Sequence, residues 1–309
     1  MIVARGVELL LYTFGEKHPF NSKRAELFFE SIGEYPDILY VKPTQAKKEE
    51  ISLFHTPDYI DFVFNASLKG IGYLDYGDTP AFKGAYEASA FVVGTTLLLA
   101  KQLIDSDEYY AFNPIGGLHH SMRNRAGGFC IFNDIGVTVE YLFKQGYKKI
   151  LYIDIDAHHG DGVYYSFEMD NRLYIWDVHE DSRFLYPGTG LDSEIGIGPA
   201  EGTKVNINLL PGSGDKELLG YLTSLEEIFN RCKPEFVIFQ VGVDGLEGDP
   251  LTQLKYSLNG YLEVIQKARE LSLTYGNGKV LFLGGGGYNL NNINQGWSAL
   301  IRTIAGRLK

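Results

Sequence analysis

Cysteine is nearly missing from this sequence: Cys130 and Cys232 are the only two among 309 residues. A disulfide framework and a cysteine-based zinc finger are thereby excluded, since both need several clustered thiols. Basic side chains are in deficit, with 28 Lys and Arg against 39 Asp and Glu and a formal net charge of −11. Without a net basic field to displace counterions, direct binding to nucleic acid is not expected. An acidic surface suits cationic substrates, whose local concentration it raises, and it serves solubility equally well. No uninterrupted apolar run is long enough to span a bilayer. The opening Met1-Ile2-Val3-Ala4-Arg5-Gly6 lacks the basic segment and apolar stretch of a secretory signal. Low-complexity tracts, Pro/Ser-rich linkers and internal repeats are also absent. The expectation is a cytoplasmic protein with no membrane association.

What remains is an ordinary globular composition, 45% hydrophobic and 22% charged. The chain is long enough to bury a sizeable core, as one large α/β domain or two smaller ones. Short apolar segments read as strands at residues 38–41, 150–155, 173–178, 205–209, 236–241 and 280–283. Several are apolar at consecutive positions, the pattern of strands buried on both faces. Helical patterns cover 86–104, 135–145, 216–231 and 254–275. Strands alternating with helices predict βαβ units and a mostly parallel sheet. Ligands of such sheets bind beyond the C-terminal ends of the strands.

Four segments carry chemistry. The first, Asp154-Ile155-Asp156-Ala157-His158-His159-Gly160-Asp161, directly follows an apolar strand candidate. Strand alternation starts Asp154, Asp156 and His158 on one face. Two carboxylates and an imidazole buried together call for a cation, and they suit a catalytic zinc with an open position. The alternative is a paired carboxylate network without metal. The second is Gly116-Gly117-Leu118-His119-His120. Two imidazoles beside a metal can act as base and acid if separate carboxylates tune them; otherwise they are hydrogen-bonded loop histidines. The third is Gln240-Val241-Gly242-Val243-Asp244, a strand ending in a carboxylate that turn formation or helix capping would also explain. The fourth is Gly284-Gly285-Gly286-Gly287-Tyr288-Asn289, which lacks the spaced glycines and Lys-Ser/Thr of a phosphate loop. A tyrosine delivered by such a loop can face a developing oxyanion, or can simply pack.

Together with Gly128-Phe129-Cys130-Ile131-Phe132-Asn133-Asp134, Pro187-Gly188-Thr189-Gly190 and His55-Thr56-Pro57-Asp58-Tyr59, these segments resemble the zinc-dependent histone deacetylases. The resemblance includes their prokaryotic relatives, the acetoin-utilisation proteins and acetylpolyamine amidohydrolases. It implies one arginase/deacetylase-fold domain over 1–309: a central, mostly parallel β-sheet flanked by helices, with the active site at the C-terminal strand ends. It implies one zinc held by Asp156, His158 and Asp244. His119 and His120 match the family's tandem histidines, oriented by Asp154 and Asp161, and Tyr288 matches its carbonyl-polarising tyrosine. Gly128, Phe129 and Tyr186 match the acyl-lysine tunnel, with Tyr186 where many members have Phe. Asp78 resembles a rim aspartate that holds the substrate backbone. A potassium site would draw on Asp154, Asp156, His158, Asp177 and Val178, with Asp177 in place of the family's common Ser.

Arginases share the fold but hold two manganese ions through extra carboxylates. Here those positions fall at Gly160 and Gly242, so a single-metal site is the better reading. A binuclear ureohydrolase and a non-catalytic acetyl-ligand binding protein are the rival readings; Tyr288, His119 and His120 argue against the second. The implied substrate is an acylated amine, either acetyl-lysine in a protein or an acetylpolyamine. The close of the sequence at Lys309, without a long tail, favours a compact prokaryotic-type enzyme over a chromatin regulator.

Overall fold

Unbroken apolar sequence becomes central strand here, because only a strand covered on both faces can bury consecutive apolar side chains. In the computed structural model, which describes residues 1–306 except 34 and 36, eight strands form one sheet. They are β1 (Ile2–Ala4), β2 (Leu39–Val41), β3 (Tyr110–Asn113), β4 (Ile150–Asp154), β5 (Leu173–Glu180), β6 (Lys204–Leu209), β7 (Phe236–Gln240) and β8 (Val280–Leu283). Their order is β2-β1-β3-β8-β7-β4-β5-β6, and every neighbouring pair is parallel. Strands β4, β7 and β8 are buried at every position.

Among the described residues ten α-helices cover the sheet: α1 (Lys23–Ile32), α2 (Lys48–Ile51), α3 (Pro57–Lys69), α4 (Ala85–Asp105), α5 (Asp134–Lys144), α6 (Asp161–Phe167), α7 (Asp215–Leu219), α8 (Leu222–Cys232), α9 (Leu258–Tyr275) and α10 (Leu290–Ala305). Alternation along each strand divides the core in two. Ile150 and Tyr152 of β4 join the core made with α3, α4, α5 and α6. Leu151 and Ile153 face the other way, into the core made with α8, α9 and α10. By length and composition α4 alone, among the described residues, could cross a membrane, and 67% of its most apolar window is buried inside the protein. Glu87 and Lys101 interrupt its apolar sequence.

The structure departs from the sequence pattern in four places. β1 and β3 are strands of three and four residues, too short to announce themselves by periodicity. The pattern over 216–231 is two helices, α7 and α8, parted at Gly220 and Tyr221. α9 starts only at Leu258, where Ser257 Oγ caps the Gly260 amide at 3.2 Å. Lys255 and Tyr256 instead form bridges to Gly214 and Leu246.

One row of the sheet positions the chemistry. Asn113, Leu283, Gln240 and Asp154 stand side by side at the C-terminal ends of β3, β8, β7 and β4, and Asp177 continues the row within β5, which runs on to Glu180. The four chemically loaded segments leave four of these adjacent strands, and the 186–190 segment follows the fifth.

Candidate metal and catalytic site

Asp156, His158 and Asp244 come together in the structure. One ligand atom from each lies within 4.8 Å of the others, and all three residues are buried. β4 ends at Asp154, so strand alternation is not what unites them. A tight turn does it, with the His158 amide donating to Asp156 Oδ1 at 3.0 Å. His158 Nδ1 then faces Asp156 Oδ1 at 3.1 Å and Asp244 Oδ2 at 3.0 Å. The outer oxygens are tied elsewhere: Asp156 Oδ2 accepts from the Gly286 amide at 2.6 Å, and Asp244 Oδ1 from the Ala157 amide at 2.9 Å.

Charge in this trio is short of a cation. Burial opposes ionisation of Asp156, yet the imidazoles of His119 and His158 hold it well below the usual carboxylate range. Burial and the charge of Asp156 push Asp244 up to about 7. Burial disfavours the His158 imidazolium, but hydrogen bonds to both carboxylates push it up to about 10. Two carboxylates and an imidazole converging on one buried point are a donor set that fits a divalent ion with an open coordination position. A second metal fits poorly. A β-carbon at Gly242 would stand 2.6 Å from Asp156 Oδ2, and one at Gly160 would stand 3.0 Å from Asp154 Oδ2. A side chain at Gly242 would force Asp156 to move, and one at Gly160 would press on Asp154, so neither glycine offers a second metal its carboxylate.

The tandem histidines sit beside the trio. His119 Nδ1 lies 2.8 Å from Asp154 Oδ2, and His120 Nδ1 lies 2.7 Å from Asp161 Oδ1. Their Nε2 atoms meet at 3.0 Å. Burial, and then the neighbouring His119, push His120 down to about 4, so its imidazole is neutral at neutral pH. The loop that carries them is shaped by Asp134 at the start of α5, which accepts from the amides of Gly117 at 3.1 Å and Leu118 at 2.8 Å. Asn133 caps α5 through the Gly136 amide and donates to the Ser121 carbonyl, both at 2.8 Å.

A cleft of about 650 Å³ opens above His120 and Asp161, lined also by Asp75, Asp78, Arg125 and Tyr186. The Tyr186 ring stands edge-on to His120, with centroids 4.9 Å apart, and is 44% exposed at the mouth. Gly128 admits this approach: a β-carbon there would collide with the His120 ring and stand 2.9 Å from Tyr186 Cε1. Phe129 faces Tyr288 at 5.9 Å between ring centroids, and Tyr288 lies 6.4 Å from the His158 ring. Asp78, half-buried at the rim, is pushed up to about 6 by burial and by Asp75 beside it. Asp177 and Val178 are buried on β5. Asp177 accepts from the Gly160 amide at 2.9 Å and pairs with His179 at 2.7 Å.

Residues without an assigned role in the sequence reading hold this arrangement in place. Arg24, fully buried on α1, donates to the Gly287 carbonyl at 2.8 Å and the Gly285 carbonyl at 2.5 Å. It thereby pins the glycine loop that presents Tyr288. A charge in step with Phe28 and Ile32 on the apolar face of α1 was the available signal. Asp249 accepts from the Tyr288 amide at 2.7 Å. Tyr152 donates to Asp154 Oδ2 at 2.5 Å.

Residues 18–304 match the family described as the histone deacetylase domain. The acetoin utilization protein AcuC of Bacillus subtilis is 40% identical over 293 residues, which is 90% of this chain and 75% of that protein. AcuC of Staphylococcus xylosus is 37% identical, over 97% of this chain and 81% of its own length. Among solved structures, a histone deacetylase homolog complexed with SAHA superposes with a TM-score of 0.87 at 30% identity, covering 99% of this chain and 84% of that one. The HDA15 HD domain superposes with a TM-score of 0.90 at 28% identity, covering 99% of this chain and 91% of that one.

Proposed function

This chain belongs to the histone deacetylase family, which supports a deacetylase activity, and we propose that it is a zinc-dependent amidohydrolase that removes acetyl or other acyl groups from an amine. The observation that carries the reading is the meeting of two constellations at one cleft floor. The buried trio Asp156, His158 and Asp244 lies beside a histidine pair whose rings are each backed by a separate carboxylate.

Asp156, His158 and Asp244 would hold the zinc, which when bound polarises an acyl carbonyl and lowers the pKa of water towards neutrality. His120, neutral at physiological pH, takes the proton from the attacking water. Asp161 stabilises the imidazolium that results and fixes the ring. Asp154 does the same for His119. The Tyr288 hydroxyl donates to the oxyanion that develops on the acyl oxygen when the carbonyl carbon is attacked. A protonated histidine of the pair then delivers its proton to the leaving nitrogen, and the product acid's proton follows, giving a carboxylate and a free ammonium. Phe129 and Tyr186 flank the aliphatic stem of the amine, and Asp78 at the rim accepts from its backbone or amine N–H groups.

The reading includes a potassium ion against Asp154, Asp156, His158, Asp177 and Val178, where crowded buried carboxylates push Asp154 well above its usual range. It includes a cytoplasmic location, which suits two buried free thiols, Cys130 and Cys232. Substrates are acetyl-lysine in a protein or peptide, or an acetylpolyamine.

The test is hydrolysis of acetyl-lysine peptides, acetylputrescine, acetylspermidine and longer acyl-lysines, with metal analysis of the same preparation. Chelation should abolish turnover, and one equivalent of zinc should restore it. Two manganese ions per chain, or a zinc-loaded protein inert on every acylated amine, would overturn the reading.

A further inference from the structure

Gln240 is a buried polar side chain that the reaction above leaves without work. It closes β7, is fully buried, and stands between Leu283 and Asp154 in the row across the sheet. Its amide nitrogen lies 3.0 Å from Asp156 Oδ2 and 2.9 Å from His119 Nδ1. Its Oε1 lies 3.3 Å from the Tyr152 hydroxyl, which donates to Asp154 Oδ2 at 2.5 Å. An ionised carboxylate only accepts, so the amide nitrogen rather than the oxygen must face Asp156. The surroundings are cut to this side chain. A β-carbon at Gly117 would stand 2.8 Å from Oε1, and one at Gly285 would stand 2.8 Å from Cγ.

We propose that Gln240 is a positioning residue that couples the metal trio to the tandem histidines, an inference that rests on the zinc amidohydrolase reading. One amide hydrogen holds Asp156 Oδ2, together with the Gly286 amide, and so turns Oδ1 towards His158 Nδ1. The same nitrogen meets His119 Nδ1, whose other neighbour is Asp154 Oδ2 at 2.8 Å. Nδ1 makes one hydrogen bond at a time: carrying its hydrogen it donates to Asp154, and lacking it, it accepts from the Gln240 amide, so the two partners confine the ring to the arc between them. A ligand carboxylate and a catalytic imidazole are thus held by one side chain, and neither can tilt without disturbing the other.

Gln240→Met keeps the volume and removes both donors. Its zinc affinity, read by competition with a chromogenic chelator, should weaken roughly 10–100-fold, as losing a hydrogen bond to a metal ligand typically does. At saturating zinc, kcat on an acetyl-lysine peptide should fall roughly tenfold or more while KM stays unchanged, because the histidine is misplaced rather than the substrate. Should Gln240→Met not yield folded protein, Gln240→Asn carries the same expectation, since it withdraws the amide by one methylene. A variant with wild-type zinc affinity and wild-type kcat, whatever its melting temperature, would overturn the proposal. Wild-type protein that binds no zinc or hydrolyses no acylated amine would instead overturn the reading beneath it, so the two failures are distinguishable.

Discussion

On the polypeptide itself two buried carboxylates keep the His158 imidazole protonated up to about pH 10. A metal ligand must give up that proton, so metal and proton compete for Nδ1. At pH 7 zinc uptake should therefore release at least one proton, and affinity should rise with pH, because the folded value is raised and the proton is lost only at high pH. Calorimetry in buffers of different ionisation enthalpy measures the released protons; uptake without release would contradict the assignment of His158 as a ligand. His120 runs the opposite way. Pushed down to about 4, it is already neutral at pH 7, so the acid limb of kcat/KM should lie well below the ordinary histidine range. A pH–rate profile of the zinc-loaded enzyme reads this directly. With Tyr288 as the proposed oxyanion donor, Tyr288→Phe should lose ~10²–10³ in turnover while zinc content is unchanged.

Elements show where sequence patterns suffice and where they stop. The central strands β4, β5, β7 and β8 could be read because consecutive apolar residues have no other good explanation. β1 and β3 could not, since three or four residues give no period and only their neighbours make them strands. Site residues divide in the same way. Asp156 and His158 stood out as a carboxylate and an imidazole beyond a strand end, Asp244 joined them only through the family resemblance, and the structure brings the three together. Arg24 and Asp249 were hidden, because each acts through main-chain groups of a segment distant in sequence. Helix α4 offers a sign test of packing against propensity. Gly→Ala inside a helix ordinarily stabilises by about 1 kcal/mol. At Gly94, however, a β-carbon would overlap the Thr44 carbonyl and the Ala46 amide and come within 2.6 Å of the Gln45 carbonyl carbon. Backbone cannot step aside as a side chain can, so Gly94→Ala should destabilise by about 1–3 kcal/mol in urea unfolding.

For the whole molecule a metal held by the trio would also be a folding ligand, because Asp156, His158 and Asp244 come from segments that meet only in the folded sheet. At a zinc concentration of about 100 times Kd the native state gains about 2.7 kcal/mol. Chelation should lower the melting temperature by several degrees, and added zinc should restore it in a concentration-dependent way. A melting temperature indifferent to zinc would mean that the trio does not bind it. The two cores on either side of the sheet contain no part of the trio, so the ion-free protein should still unfold in a cooperative transition.

The row Asn113, Leu283, Gln240, Asp154 and Asp177 joins stretches of chain synthesised early and late. A nascent chain whose β8 is still inside the ribosome has nothing to seat between β3 and β7. Until then the histidine pair and Asp244 belong to unconnected pieces, and Tyr288 has not emerged at all. The row is therefore complete only once β8, the last inner strand, is seated between β3 and β7. On the proposed chemistry, a chain that stops short of β8 should be inert rather than weakly active.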